Sequence, residues 1–263
     1  MTLGKNEKWI SKANQTQIMR QIDILEDIFT NQISVLNVAI PTTEATLDEA
    51  RKICTDNNFD VHLVRCAENS DLKLYERAND KDRPLVDHEV VSESTPILDV
   101  MELLLEYPQV FVKVKRNVRM IVSRADLDSI PVRIWLFGMI SILEVELRNK
   151  INNKNLSWEA SLSMGRLKYA KELFDKKKDR NEEVDLLNCL QLVDLSTIIY
   201  RNWRSFQSDF VYVDRNSFVS VFKKLNILRD ELAHAQKLTL DYKELYDLMK
   251  FTRECLSDEK ASK

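Results

Sequence analysis

A chain of 263 residues, 44% hydrophobic and 31% charged, has enough apolar material for one large or two ordinary domains, which excludes wholesale disorder. Its formal net charge of −3 gives no global attraction to nucleic acid, so any phosphate contact must come from a local patch. Only three glycines are present, too few for glycine-rich phosphate loops and dinucleotide-binding turns, which need positive φ and close backbone approach.

The opening "MTLGKNEKWISKANQ" lacks the apolar core of a signal peptide, and no window approaches the roughly 18 apolar residues of a membrane span. A cytoplasmic protein without a membrane partner is expected. "TQIMRQIDILEDIFTNQ" then reads as a helix, with Ile18, Ile22, Leu25 and Phe29 on one face. "ISVLNVAIP" reads as a strand, and "TLDEARKICTDNN" as a helix capped by Thr46. "VHLVRC" and "LKLYER" follow as strands. The same order recurs with "HEVVSEST", "PILDVMELLLEY", "VFVKVK" and "RMIVSRADL". Strand-helix-strand-strand thus occurs twice between Ile33 and Ile130, at a spacing of roughly 50 residues, which reads as an internal duplication. Neither copy has enough core alone, so the pair is expected to pack face to face.

From Pro131 onward the strand signals vanish. "PVRIWLFGMISILEVELRNKINN" is apolar over most of its circumference. "SWEASLSMGRLKYAKELFDKKKDR" reads as a helix capped by Ser157, with "DKKKDRNEE" as a solvated connector. "EVDLLNCLQLVDLSTIIYRNWRSF", "NSFVSVFKKLNILRDELAHAQKL" and "LDYKELYDLMKFTRECL" complete five helices, enough for a bundle. The expected fold class is α+β: a helical lead over residues 1–30, a duplicated β-α-β-β module over 31–130 and an all-α bundle over 131–263. Cys54, Cys66, Cys189 and Cys255 lie far apart without a CxxC pair, which argues for free thiols in a reducing compartment and against zinc. His62 and His88, in the strand-rich half, read as structural.

The duplicated half resembles a tandem pair of CBS domains, with "STPILDVMELLLEYPQVFVKVKRNVRMIVSRADL" carrying most of the likeness. In that family the last strand ends in glycine, two apolar residues, threonine, two further residues and an aspartate that holds the ribose of an adenine nucleotide. The corresponding run is Met120 to Asp126. The resemblance implies an adenine nucleotide as regulatory ligand, held by Ser123, Arg124 and Asp126, since a carboxylate can accept two hydrogen bonds from a cis-diol. Met120 stands in place of the glycine, and the first copy offers Glu76 and Asn79, of which Glu76 repels phosphate. A scaffold role, with Asp126 capping the next turn, is the other reading.

On an ideal helix, Val221, Leu225, Leu228 and Leu232 form a core stripe. His234 lies about 180° from Leu225, on an outer strip with Lys223, Ile227 and Asp230, while Arg229 sits about 40° from Leu225. The spacing Arg229-x4-His234 late in a helical bundle, with polar Asp230 after the arginine, resembles the HEPN superfamily of ribonucleases and toxins. Glu144 and Arg148, four apart on the first long helix, agree with that likeness. Glu144 reads either as an i,i+4 partner of Arg148 or as a group that orients His234 or a 2′-hydroxyl.

What the HEPN resemblance implies is RNA cleavage without a metal or other cofactor, in a homodimer whose two motifs face across a cleft, with a toxin or antiviral-defence role. The 2′-hydroxyl attacks its own phosphodiester, His234 moves the proton, and Arg229 holds the phosphate oxygens. Between Arg215 and Lys237, five basic residues face two acidic ones, a modest basic rim. Tyr200, Trp203, Phe206 and Tyr212 are candidates for base stacking, although aromatics at this spacing more often build core. A non-catalytic nucleotide sensor or adaptor is the competing expectation.

Overall fold

The computed structural model describes residues 24–25, 27–65, 72–182, 184–210 and 213–257. Most of the expected leading helix, together with Cys66 and Tyr212, lies outside them. The described residues form two compact units, one spanning Gln32–Val132 and the other combining those of Met1–Asn31 and Arg133–Lys263. The fold is α+β, with two small mixed sheets and a helical second half. Among the described residues no helix is long and apolar enough to cross a membrane.

In the first unit the strands are β1 (Ile40–Pro41), β2 (Glu44–Ala45), β3 (Val61–Arg65), β4 (Leu72–Glu76), β5 (Lys81–Pro84), β6 (Val90–Ser92), β7 (Gln109–Val114) and β8 (Asn117–Ser123). They make two sheets, ordered β2-β3-β4-β5 and β1-β8-β7-β6. In each, a parallel pair (β2 with β3, β6 with β7) is joined through a helix and followed by an antiparallel strand. The joining helices are α1 (Leu47–Asn57) and α2 (Ile97–Glu106). Thr46 caps α1 in a reciprocal box with Glu49, and Asn58 ends it at φ 55°, a left-handed position that asparagine tolerates.

Alternation along the strands divides the core. Leu63 and Leu74 meet Phe111, Val118 and Ile121 between the sheets, while Val64 and Tyr75 turn the other way onto Ala50 and Cys54 of α1. The sheets therefore pack face to face with a helix on the outer side. Two strands have no signal in the sequence. β5 is "KDRP", an edge strand whose charges and proline suit a solvated edge, and Lys73–Asp82 and Arg83–Glu76 ion pairs at 2.7 and 2.6 Å tie it to β4. β2 has only two residues. The expected strand Ile33–Pro41 is instead a 3-10 turn, Val35–Asn37, followed by β1. Its buried residues are Val35, Val38 and Ala39, a helical rather than alternating spacing.

The second unit has five helices of ten residues or more: α3 (Ile130–Asn153), α4 (Met164–Lys178), α5 (Leu192–Arg201), α6 (Arg215–Ala233) and α7 (Tyr242–Ser257). α3 buries Trp135, Leu136, Met139, Ile140, Leu143, Leu147 and Ile151, more than one stripe, as its sequence requires. Helix α4 starts six residues later than expected. Ser157 makes no cap bond and precedes a 3-10 turn, and Ser163 caps α4 by accepting from the Arg166 amide. The first half of "DKKKDRNEE" lies within α4, which runs to Lys178.

Trp203, Phe210, Phe218, Phe222 and Phe251 form one aromatic cluster, with the Phe218 and Phe222 centroids 4.3 Å apart. Phe206 is fully buried, and Arg215 lies over Tyr200, 4.2 Å from its centroid. The described aromatics once open to a stacking role thus build the core or are already covered.

Gly138 serves close approach. A Cβ there would overlap the ring of Phe29, whose carbonyl accepts from Trp135 Nε1 at 2.7 Å. Gly138→Ala is expected to destabilise by about 1–3 kcal/mol, the overpacking penalty outweighing the helix-propensity gain of about 1 kcal/mol. Adding Phe29→Ala should recover part of the loss, measured as a double-mutant cycle in thermal unfolding.

Candidate functional site

The end of α6 gathers the residues singled out in the second half. Its buried residues are Phe218, Phe222, Leu225, Leu228 and Glu231, while Val221 and Leu232, expected in the core stripe, are only partly covered. From Phe222 the buried row advances in threes, so it drifts around the helix and brings Glu231 inward. Asp214 caps the start of α6, accepting from the amides of Asn216 and Ser217.

The helix ends at Ala233. His234 is its C-cap, with φ −103° and ψ 10°, and Ala235 turns left-handed at φ 52°. The angle drawn for His234 on a continuing helix therefore gives way to a turn. Its imidazole is exposed and makes no hydrogen bond to a described residue. Lys223, Ile227 and Asp230 are exposed as well, as the outer strip requires.

Arg229 is anchored. Its Nε lies 3.3 Å from Glu144 Oε1 on α3, and Nη1 lies 3.3 Å from Asp230 Oδ1. Glu144, whose side chain is 14% exposed, also takes Arg148 at 3.1 Å, so the pair expected within α3 extends across to α6. Arg148 donates to the Leu190 carbonyl too. Two guanidinium groups and two carboxylates balance in charge. The pair with exposed Asp230 is worth roughly 0–1 kcal/mol, whereas the one with Glu144 is shielded.

Two residues that the sequence reading passed over hold the turn bearing His234. Glu231, 6% exposed, accepts from the Thr239 amide at 3.2 Å and the Thr239 hydroxyl at 2.5 Å. Arg133 donates to the carbonyls of Glu231 and Gln236. A carboxylate beside a core stripe was the available signal for Glu231; Arg133 had none, since its partners are main-chain carbonyls about 100 positions away.

The rest of the basic rim is partly spent. Lys224 pairs with Glu244 at 2.7 Å and Arg215 covers Tyr200, which leaves Lys223 and Lys237 exposed. Burial pushes the thiols of Cys54 and Cys189 up, which suits inert core residues. Among the described residues no group of three or more His, Cys, Asp or Glu is placed to hold a metal ion.

In the strand-rich unit, Ser123, Arg124 and Asp126 have structural partners. Asp126 Oδ2 accepts from the Ser123 amide at 2.7 Å and its hydroxyl at 2.8 Å, capping the turn Arg124–Asp128. Arg124 donates to the carbonyls of Leu104 and Leu105 at the end of α2. His62 is buried, its Nδ1 2.9 Å from the Leu63 carbonyl. His88 is exposed and packs against Tyr107, with ring centroids 5.0 Å apart.

Comparison with known proteins adds no relative: no family model, no curated protein and no solved structure matches this chain.

Proposed function

We propose that the helical unit is a metal-independent endoribonuclease of the HEPN kind, a toxin or antiviral-defence effector acting as a homodimer. One observation carries the reading. An exposed imidazole at His234, without a partner among the described residues, sits on a turn held by Glu231 and Arg133, five residues from an arginine anchored by Glu144.

In the reaction the 2′-oxygen forms a bond to phosphorus, the bond to the 5′-oxygen breaks, one proton leaves the 2′-hydroxyl and one reaches the leaving oxygen. The nucleophile is tethered, so no metal is needed to deliver it. One imidazole accepts and a second donates. Each protomer has one His234, so a dimer joining two outer strips supplies both roles. Arg229 Nη2 makes no hydrogen bond to a described residue, and phosphate can displace the weak Asp230 pair while Glu144 keeps the guanidinium in place.

The unit Gln32–Val132 is proposed as the regulatory half. The test is incubation of the purified full chain with structured RNA in EDTA, with and without AMP or ATP, beside Arg229→Ala. Cleavage by the wild type that drops in the variant supports the reading. No cleavage in any condition overturns it in favour of a non-catalytic sensor or adaptor.

A further inference from the structure

The strand-rich unit contains a cleft of about 580 Å³ that no residue of the reading above occupies. Gln109 opens β7 on the face it shares with Phe111, 7% exposed, and its amide lines the cleft without a hydrogen bond to any described residue. The amide is not sealed from solvent, so its oxygen and N–H donors remain reachable by a molecule bound in the cleft. Around it stand Glu76, Arg83, Glu89 and the His88–Tyr107 ring pair.

Charge selects the partner. Arg83 grips Glu89 with two bonds, Nη1 at 2.8 Å and Nη2 at 2.6 Å, and donates Nε to Glu76 at 2.6 Å. A further bond to the Pro84 carbonyl leaves it little capacity for a phosphate. Asp60, at the rim, is answered by Arg77 at 3.0 Å. Two carboxylates therefore share one guanidinium at the cleft floor, an excess negative charge in a partly buried site. The Arg83 hydrogen bonds hold Glu76 and Glu89 below the usual carboxylate range, so both stay ionised near neutral pH.

We propose that this cleft binds a small organic cation, its ammonium or guanidinium group on Glu76 and the Gln109 carbonyl and its body against Tyr107. The carboxylates and amide oxygen are acceptors with lone pairs to spare, the tyrosine face attracts a cation, and the volume suits a compact ligand. An anionic nucleotide is disfavoured by the same charges. This inference is independent of the nuclease reading.

Calorimetric titration of the full chain with agmatine and with tyramine tests it, beside AMP. Agmatine or tyramine should bind, and Glu76→Gln and Gln109→Leu should each weaken that binding by about tenfold or more. Glu76→Gln keeps an oxygen for Arg83, so it decides the matter alone if Gln109→Leu does not fold. No binding of either amine up to ~10 mM, unchanged affinity in the variants, or tighter AMP binding that Glu76→Gln alters would overturn the proposal.

Discussion

His234→Ala should slow RNA cleavage by about 10²–10⁴-fold, the contribution of a positioned proton donor or acceptor, with almost no change in stability. The two effects separate because of where the residue sits. Its side chain is exposed and without a partner among the described residues, and its structural role at the end of α6 is carried by its backbone amide, which donates to the Asp230 carbonyl. Removing the ring leaves that bond in place, and surface substitutions of this kind usually stay within about 0.5 kcal/mol. A side chain that matters only for the fold would show the reverse pattern. An active His234→Ala protein, or an inactive one that is also unstable, would contradict the assignment.

Asp194→Ala should cost about 2–4 kcal/mol, lowering the unfolding temperature of the helical unit by on the order of 10 °C. Asp194 lies near the start of α5 with only 4% exposure, although it is charged. It takes Arg166 in a bidentate pair, Nε at 2.7 Å and Nη2 at 2.6 Å, and accepts from the Gln191 amide at 3.1 Å. Alanine removes the pair between α4 and α5 and the cap of α5 at once. The partly exposed Arg166 can return to water, which keeps the loss below the upper range for buried pairs. Asp194→Asn, which keeps acceptor and shape, should cost less. A loss under ~1 kcal/mol for alanine would show that α4 is held by apolar contacts instead.

The two predictions rest on features of unequal visibility in the sequence. Apolar periodicity placed α1, α2, β3, β4, β7 and the five long helices, because those segments bury one face or all faces. The spacing of Val221, Leu225, Leu228 and Leu232 made α6 visible, although only Leu225 and Leu228 of these are buried and the buried row instead runs through Phe218, Phe222 and Glu231. Short or polar elements escaped for the opposite reason. β2 has two residues, and β5 owes its place to cross-strand ion pairs rather than apolar burial. Ile33–Pro41 looked β-rich in composition, yet its buried positions follow a turn.

At the site, Arg229, Asp230 and His234 could be singled out because they are close in sequence. The bridge from Arg229 to Glu144 spans 85 positions and depends on α3 and α6 lying together, which no local pattern encodes. The positioning bonds of Arg133 and Glu231 depend on long-range packing as well, and so, within the strand-rich unit, does the cleft around Gln109. Thr239, the partner of Glu231, offers no signal on its own.

The most direct test is the chemistry of the cut ends. Wild-type protein, incubated with an end-labelled RNA in EDTA, should yield products bearing a 2′,3′-cyclic phosphate and a 5′-hydroxyl, since in the proposed reaction the attacking oxygen belongs to the RNA itself. Products bearing a 5′-phosphate, or cleavage that appears only when divalent metal is restored, would contradict it.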